Sequence, residues 1–257
     1  GAIGGTEEVM EVVNNGSVTV QSVAESNLDY VFYSISYAVA GGVEQSVYDT
    51  DSATVAFENG ETGSVSVAAS AHADSTIAIS EGASLGVAQN VESERESSIA
   101  NLTAANLGVM SIDAMSQADS TYAAIAVGLG VGIAQDALAD RVTLDATNSG
   151  TLSVSAQSLA NAVAGELDAP AFAFAYNTYV GGVVQQADAG ALASLSAVNS
   201  GSLSVLSDAK ATASTYAGSG SLGFGVMQMA YAGTASALFD NTGEVSVTSS
   251  GEALSDM

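Results

Sequence analysis

Strict alternation of apolar and hydroxyl residues recurs six times along the chain, each time after a glycine. Val, Leu, Ile or Met stands two and four positions after the glycine, and Ser or Thr always stands between them. The glycines are Gly16, Gly63, Gly108, Gly150, Gly201 and Gly243, and the hydroxyl residues are Thr19, Ser66, Ser111, Ser153, Ser204 and Ser246. Period-two alternation is the signature of a strand with one buried face. The pattern therefore predicts six equivalent strands, each entered through a glycine-containing turn.

A second marker, Gly-Val/Ile-x-Gln, recurs five times between these strands. Its glutamines are Gln45, Gln89, Gln135, Gln185 and Gln228, at separations of 44, 46, 50 and 43 residues. Near-constant spacing of one constrained motif indicates a structural repeat of about 45 residues. The two markers alternate about every 22 residues on average.

These patterns predict an all-β fold. The first interpretation is a β-solenoid (β-helix) of about five repeats of about 45 residues, with two coils of about 22 residues in each repeat. The alternative is an antiparallel β-meander or sandwich of long strands, in which the turns reverse the chain. Helix is rejected for the Ala-rich repeats because their apolar positions recur every two residues and Gly and β-branched residues interrupt them.

The five glutamines favour the solenoid over the meander. Each shares a strand face with flanking valine or other apolar residues, as Gln45 does with Val43 and Val47. An isolated buried amide would lack hydrogen-bond partners, at a cost of about 1–3 kcal/mol. Stacked glutamines remove that cost because each amide donates to one neighbour and accepts from the other. We therefore expect a structural ladder of the five glutamines.

The strict repeat begins at residue 14. Residues 14–257 are expected to form a single repetitive β domain, and residues 1–13 a cap or a subunit contact, with Thr6 to Val13 able to start a short helical turn. The chain begins at Gly1, which fits a mature exported chain and a trimmed fragment equally well.

Composition narrows the classes of partner. The chain has 3 Lys and Arg against 28 Asp and Glu, a formal net charge of −25, no Cys and no Trp. Nucleic acid and anionic membrane surfaces both require clustered cations, so neither is an expected partner. No segment is apolar enough to predict a spanning helix, and membrane insertion is not expected.

The residue pattern contains no recognisable catalytic site or cofactor site. His72 is the only histidine, at an outward strand position, and no nucleophile motif surrounds it. Transition-metal sites lack ligands. Calcium, which accepts carboxylate oxygens, has weak candidate ligands on two segments, Asp49 with Asp51 and Glu92 with Glu94 and Glu96. A solvated acidic face is the competing interpretation, and the chain is expected not to be an enzyme.

The recurring Gln and Asn-x-Gly markers between alternating strands resemble those of secreted bacterial β-solenoid repeat proteins, namely curli-type fibre subunits and the repeat regions of large surface adhesins. The resemblance is one of pattern and covers nearly the whole chain from Asn14 onward; the repeat is about twice the length of a curli repeat. It implies a secreted, self-associating structural protein located outside the cell or at the cell surface.

Large aromatic residues form two clusters in this Ala-rich chain. They either fill a wider section of the stack or mark subunit contacts, and we expect contacts. They are Tyr30, Phe32, Tyr33 and Tyr37, followed by Phe172, Phe174, Tyr176 and Tyr179. The expected function is a structural subunit of an extracellular filament that assembles head to tail. A stalk segment of a large surface adhesin is the main alternative. An ice-binding protein, suggested by the hydroxyl column, and an outer-membrane barrel are weaker ones.

Overall fold

The computed structural model describes residues 2–3, 7–27, 32–164 and 170–255. Every regular element among them is a β-strand, and every strand pairing is parallel. The predicted all-β class is confirmed, and the parallel arrangement is consistent with a β-solenoid. The antiparallel meander or sandwich is wrong for the described residues, because equivalent repeats lie side by side instead of reversing.

The strands form three groups, which we call layers A, B and C. Within a layer, equivalent strands of successive repeats pair side by side, and the chain passes through the layers in the order A, B, C. Layer A consists of β2 (Glu8–Asn14), β5 (Ser52–Asn59), β7 (Ile99–Asn106), residues 141–148, residues 192–199 and β13 (Thr234–Asn241). Layer B consists of β3 (Ser17–Asn27), residues 64–74, residues 109–120, β9 (Thr151–Ala162), β11 (Ser202–Ala213) and β14 (Glu244–Ser255).

Layer C consists of β4 (Tyr33–Tyr48), residues 77–92, residues 123–138, residues 172–188 and β12 (Tyr216–Tyr231). Three long strands run through more than one layer: β6 (Ser64–Glu92) through B and C, β8 (Val109–Asn148) through B, C and A, and β10 (Phe172–Asn199) through C and A. One passage through A, B and C is called a rung below.

Paired residues lie one whole repeat apart along the chain. Gln45 pairs with Gln89, and Asn148 with Asn199. The expectation of two coils of about 22 residues per repeat is therefore wrong, since it requires partners half a repeat apart. The two sequence markers occupy different positions of the same rung. The Asn-x-Gly turn joins layers A and B, whereas the Gly-Val/Ile-x-Gln motif lies within layer C.

The N-terminal segment joins the same stack. Residues 8–14 form β2, which pairs with β5 in register from Glu8 with Ala53 to Asn14 with Asn59. The helical turn expected at Thr6 to Val13 is wrong for residues 8–13, because β2 hydrogen-bonds along β5 as the first strand of layer A. β1 (Ala2–Ile3) pairs with Val47 and Tyr48, which places it beside the last residues of β4.

The core between the layers is thin and is filled mostly by alanine and valine. The first half of layer C packs against layer B, as Ala78 does near Ala73, and the second half packs against layer A, as Val47 does near Val55. Small inward side chains let the facing backbones approach closely, as close packing of protein interiors requires. The first-half strands of layer C therefore point small residues inward and their large residues outward.

Layer C bends at a column of glycines that touch the next rung. A Cβ on Gly86 would lie 2.5 Å from the carbonyl oxygen of Gly132, and one on Gly132 would lie 2.6 Å from that of Gly182. A Cβ on Gly42 would overlap the carbonyl oxygen of Gly86 in the same way. Only glycine allows so close an approach of two backbones. The glycine of the Gly-Val/Ile-x-Gln motif is thus required by stacking.

Candidate functional site

The five predicted glutamines lie in one column inside the molecule. Nε2 of Gln89, Gln135, Gln185 and Gln228 donates to Oε1 of the glutamine one rung earlier, at 2.9, 2.8, 2.8 and 2.8 Å. Each amide also donates to a backbone carbonyl of layer A, as Gln45 does to Ala56 at 2.9 Å. Gln45, Gln89, Gln135 and Gln185 are at most 1% exposed. The column therefore satisfies buried amides that no single rung could satisfy.

A second amide column, of asparagines, lies at the corner between layers A and B. Its members are Asn14, Asn59, Asn106, Asn148, Asn199 and Asn241. Nδ2 of each of the first five donates to Oδ1 of the asparagine one rung later, at 2.7 to 2.8 Å. The first five also donate to a backbone carbonyl just after the corner of the following rung, as Asn106 does to Thr151 at 3.0 Å. Sequence reasoning used these asparagines only as turn markers, although their spacing matched that of the glutamines.

The two columns have opposite hydrogen-bond polarity. The glutamine amides donate toward the N-terminal rung, whereas the asparagine amides donate toward the C-terminal rung. Side-chain amide dipoles therefore run in opposite directions along the stack, so their long-range fields partly cancel. Each end of the stack presents a donor from one column and an acceptor from the other.

The hydroxyl residues predicted to share one strand face form a column on the outer face of layer B. Thr19 pairs with Ser66, and the series continues through Ser111, Ser153, Ser204 and Ser246. His72 lies on the same face, with its Nε2 3.1 Å from Oδ2 of Asp119. Asp119 also accepts from Gln117 and Asn161, so these polar groups satisfy one another. No nucleophile is held against this histidine in the described residues.

Arg95 lies between the first pair of carboxylates named as calcium candidates. Its Nε is 2.8 Å from Oδ1 of Asp49, and its Nη1 is 3.0 Å from Oδ1 of Asp51. The hydrogen bond and the charge of Arg95 lower the pKa of Asp49, and the two aspartates raise the pKa of Arg95. The guanidinium thus takes the position that a cation would need.

The second calcium candidate does not form one carboxylate face. Glu92 is the last residue of β6, and Glu94 and Glu96 lie in the turn that follows it. The three carboxylates were expected on one strand face, but the strand ends at Glu92. Over the described ranges, no group of three or more His, Cys, Asp or Glu side chains is arranged to hold a metal ion.

A shallow acidic groove crosses the outer face of layer C near its end. Asp136 lies there between Asn90 and Gln186 in register, with Glu92 and Asp188 nearby. Partial burial raises the pKa of Asp136, and the charges of Asp188 and Glu92 add to that rise. Three of its eight lining residues are acidic, and none is Lys or Arg.

The outer face of the first half of layer C is apolar across all five strands. We call it the apolar face: the outward positions of residues 33–39, 77–83, 123–129, 172–179 and 216–224. Its register places Ile35, Ile79 and Ile125 in one column, followed by Phe174. Glu81 is the one charged residue among these positions.

Two aromatic rings of β10 pack beside glycines of β12 on the apolar face. The rings of Phe174 and Tyr176 are stacked, with centroids 6.3 Å apart and an interplanar angle of 10°. They cover the backbone of Gly218 and Gly220, where an added Cβ would lie 3.2 and 3.1 Å from ring atoms. An aromatic ring beside a glycine of the neighbouring strand fills the space that the missing side chain leaves. The glycine-rich segment after residue 217 therefore accommodates aromatic rings.

Seven of the eight aromatic residues proposed as subunit contacts fall within the described residues. Tyr33 and Tyr37 are exposed members of the apolar face, and Phe172, Phe174, Tyr176 and Tyr179 lie on it one to several strands away. Phe32 is 80% exposed beside the first strand. Tyr30 lies outside the described residues. The structure thus brings together two clusters that are about 140 residues apart in the chain.

Sequence reasoning missed the aliphatic part of this face. The alternation from Tyr33 to Ala40 was visible, but large residues of an alternating strand are ordinarily assigned to the core. The signal that could have corrected this is the inward set Ser34, Ser36, Ala38 and Ala40, whose small size fits a thin core.

Comparison of the chain with protein-family models, curated proteins and solved structures gives no match. The resemblance to bacterial β-solenoid repeat proteins therefore remains one of pattern. No helix long and apolar enough to cross a membrane occurs in the part of the chain that the structure describes.

Proposed function

We propose that this chain is a β-solenoid structural subunit of an extracellular, self-assembling filament that joins head to tail and has no catalytic role. One observation carries the proposal: the two ends of the stack present strand edges of matching length and complementary amides. β2 and β3 form the edge at one end, and β13 and β14 at the other. Parallel edges with free N–H and C=O groups template further strands.

The asparagine column supports this direction of joining. Asn241 donates only to the carbonyl of Gly243, at 3.3 Å, whereas each earlier asparagine donates to the next one at 2.7 to 2.8 Å. At the other end, Asn14 Oδ1 accepts from the N–H of Gly16 at 3.2 Å. A following subunit would let Asn241 donate to its Asn14, which continues the column with unchanged polarity.

Layer C would be interrupted at such a junction. The last rung contains β13 and β14 but no layer C strand after them, so β12 is the last strand of that layer among the described residues. If β2 of a new subunit pairs with β13, one layer C position stays open between β12 and the new β4. β1 of the new subunit already occupies the final two residues of that position, beside Val47 and Tyr48.

Charge sets the conditions for assembly. Each subunit carries a formal charge of −25, so subunits repel one another at low ionic strength. The Debye length falls from about 30 Å at 0.01 M salt to about 8 Å at 0.15 M. Added salt is therefore expected to speed filament growth.

The test is negative-stain microscopy and fibre diffraction of the purified chain in 0.15 M salt. We expect unbranched filaments with a reflection along the fibre axis at about 4.8 Å, the spacing between strands. Val247→Lys places a charge on the inward face of β14, which the next subunit would cover, and should abolish filaments. Thr248→Lys adds the same charge on the outward face and should leave them intact. Monodisperse monomers under all conditions, or equal assembly by both variants, would contradict the proposal.

The alternative is a stalk segment of a large surface adhesin. In that case further repeats of the same polypeptide pair with the edges of β2, β3, β13 and β14. The same register supports both functions, because each edge accepts a rung regardless of which chain supplies it. A purified chain that remains monomeric, together with a longer precursor carrying more copies of the repeat, would favour the stalk.

A further inference from the structure

We propose that the apolar face is a second, lateral interface, through which two copies of the chain pair face to face. This inference does not depend on head-to-tail joining, because the face lies on the side of the stack and involves neither end. Lateral pairing stops at two copies, whereas head-to-tail joining can continue without limit.

The apolar face differs in polarity from the other outer surfaces of the molecule. The outer face of layer B carries the hydroxyl column, His72 and Asp119, and the end of layer C carries the acidic groove. On the apolar face, Ile35 is 55% exposed and Val39 is 53% exposed, although the net charge of the chain is strongly negative. Contiguous exposed apolar patches of several hundred Å² mark interaction sites in soluble proteins.

The area of the apolar face is large enough for a specific interface. Five strands at about 4.8 Å and seven to eight residues at about 3.3 Å give a face of roughly 20 Å by 25 Å. Two copies would therefore bury on the order of 1,000 Å² in total, which is the lower limit for a specific interface. Two single subunits are therefore expected to bind each other weakly through this face.

The surface of the apolar face is continuous across its last two strands. Phe174 and Tyr176 occupy the space beside Gly218 and Gly220, where side chains are missing. Sheets pack face to face at a separation of about 10 Å, with their strands about 30° apart. A twofold axis in the plane of the interface makes the contact self-complementary, and assembly then stops at two.

The low charge of the apolar face favours a second copy of the chain as its partner. The face offers no cation to an acidic partner and one carboxylate, Glu81, to a basic one. A second copy presents an equally apolar surface, and the aliphatic column of Ile35, Ile79 and Ile125 then contacts the same column of its partner or its aromatic neighbours. Pairing removes Glu81 from water without supplying a counter-charge, which costs part of the affinity.

The test uses the full chain carrying Val247→Lys, which blocks one end, and measures the monomer–dimer equilibrium by sedimentation. We expect a dimer that does not grow further. Ile35→Thr/Ile79→Thr/Ile125→Thr keeps β-branched residues but removes apolar surface, and should weaken the dimer by at least roughly tenfold. Val23→Thr/Met115→Thr/Leu206→Thr also replaces three apolar side chains by Thr, on the outer face of layer B, and should leave the dimer unchanged. Glu81→Gln should strengthen it.

Three results would overturn the inference: a monomer at every concentration, a dimer that the isoleucine variant leaves unaffected, or binding of the monomer to phosphatidylcholine vesicles that the isoleucine variant abolishes. Failure of end-to-end joining is recognised separately. If head-to-tail joining is wrong, the chain without Val247→Lys gives the same closed dimer, whereas if only lateral pairing is wrong, it still gives filaments of single width.

Discussion

Nε2 of Gln135 donates to Oε1 of Gln89 at 2.8 Å across 46 residues of sequence, and Oε1 of Gln135 accepts from Gln185 at 2.8 Å. Because Gln135 is 1% exposed, water cannot replace either bond. The glutamine column therefore fixes how successive rungs are aligned in layer C. A slip of two residues, which keeps the same side chains facing inward, would place an apolar side chain against each amide.

Gln135→Leu keeps approximately the same volume and removes both bonds. We expect a loss of about 2–4 kcal/mol in the free energy of unfolding, because Oε1 of Gln89 and one N–H of Gln185 become unpaired in the core. Urea denaturation followed by circular dichroism measures it. Gln228→Leu is the matched control at the exposed end of the column, where Oε1 of Gln185 and the exposed carbonyl of Leu238 lose their donor, and should cost less than half as much. Equal losses would show that the column does not act through its buried bonds.

The asparagine corner can be tested with a change that keeps size. Asn106→Asp removes the N–H donors to Asn148 and Thr151 and places a carboxylate beside their oxygens, so we expect a loss of at least about 2 kcal/mol. Asn101→Asp in the same strand β7 lies on the outward face and should change stability by less than about 0.5 kcal/mol. Thermal melting of both variants gives the comparison.

Two adjacent glycines test the close contact between rungs. A Cβ on Gly42 would overlap the carbonyl oxygen of Gly86, while a Cβ on Gly41 would meet nothing within 4 Å. Gly42→Ala is therefore expected to lower stability by about 1–3 kcal/mol, and Gly41→Ala to leave it unchanged within about 0.5 kcal/mol. Indistinguishable melting temperatures for the two variants would contradict the contact as the reason for this glycine.

Asp136 provides a test of pH dependence. Burial and the neighbouring acidic groups raise its pKa, so its charged form lowers stability at neutral pH. That penalty is present above the folded pKa and disappears as the pH falls through the folded pKa toward the unfolded value. Asp136→Asn should be more stable than the unchanged chain at pH 7, by no more than about 0.5 kcal/mol after screening by solvent.

The advantage of Asp136→Asn should vanish at low pH, because both side chains are then uncharged. Thermal melting at pH 7 and pH 3 measures the difference. Asp113→Asn makes the same substitution on the exposed outer face of layer B and is the control. An advantage for Asp136→Asn that persists at pH 3 would exclude charge as its cause.

Recurrence in the sequence was sufficient to identify residues that share a column. The glutamines from Gln45 to Gln228 and the hydroxyl residues from Thr19 to Ser246 were grouped correctly, because equal spacing and strand alternation determine which side chains lie on the same face. The all-β class followed from the same alternation. Charge and composition also removed nucleic acid from the expected partners.

The tertiary structure decided how long a rung is and which side of layer C is buried. Alternation reports the two faces of a strand but not where the chain turns, so markers about 22 residues apart were assigned to separate coils although they lie at different positions of one rung. The bend at Gly42 depends on contact with Gly86, a residue one repeat away. In the same way, Ser34 and Ala38 face inward because facing layers leave only a thin core, and this forces Tyr33 and Ile35 outward into the apolar face. Both outcomes follow from contacts between distant residues, which local sequence cannot specify.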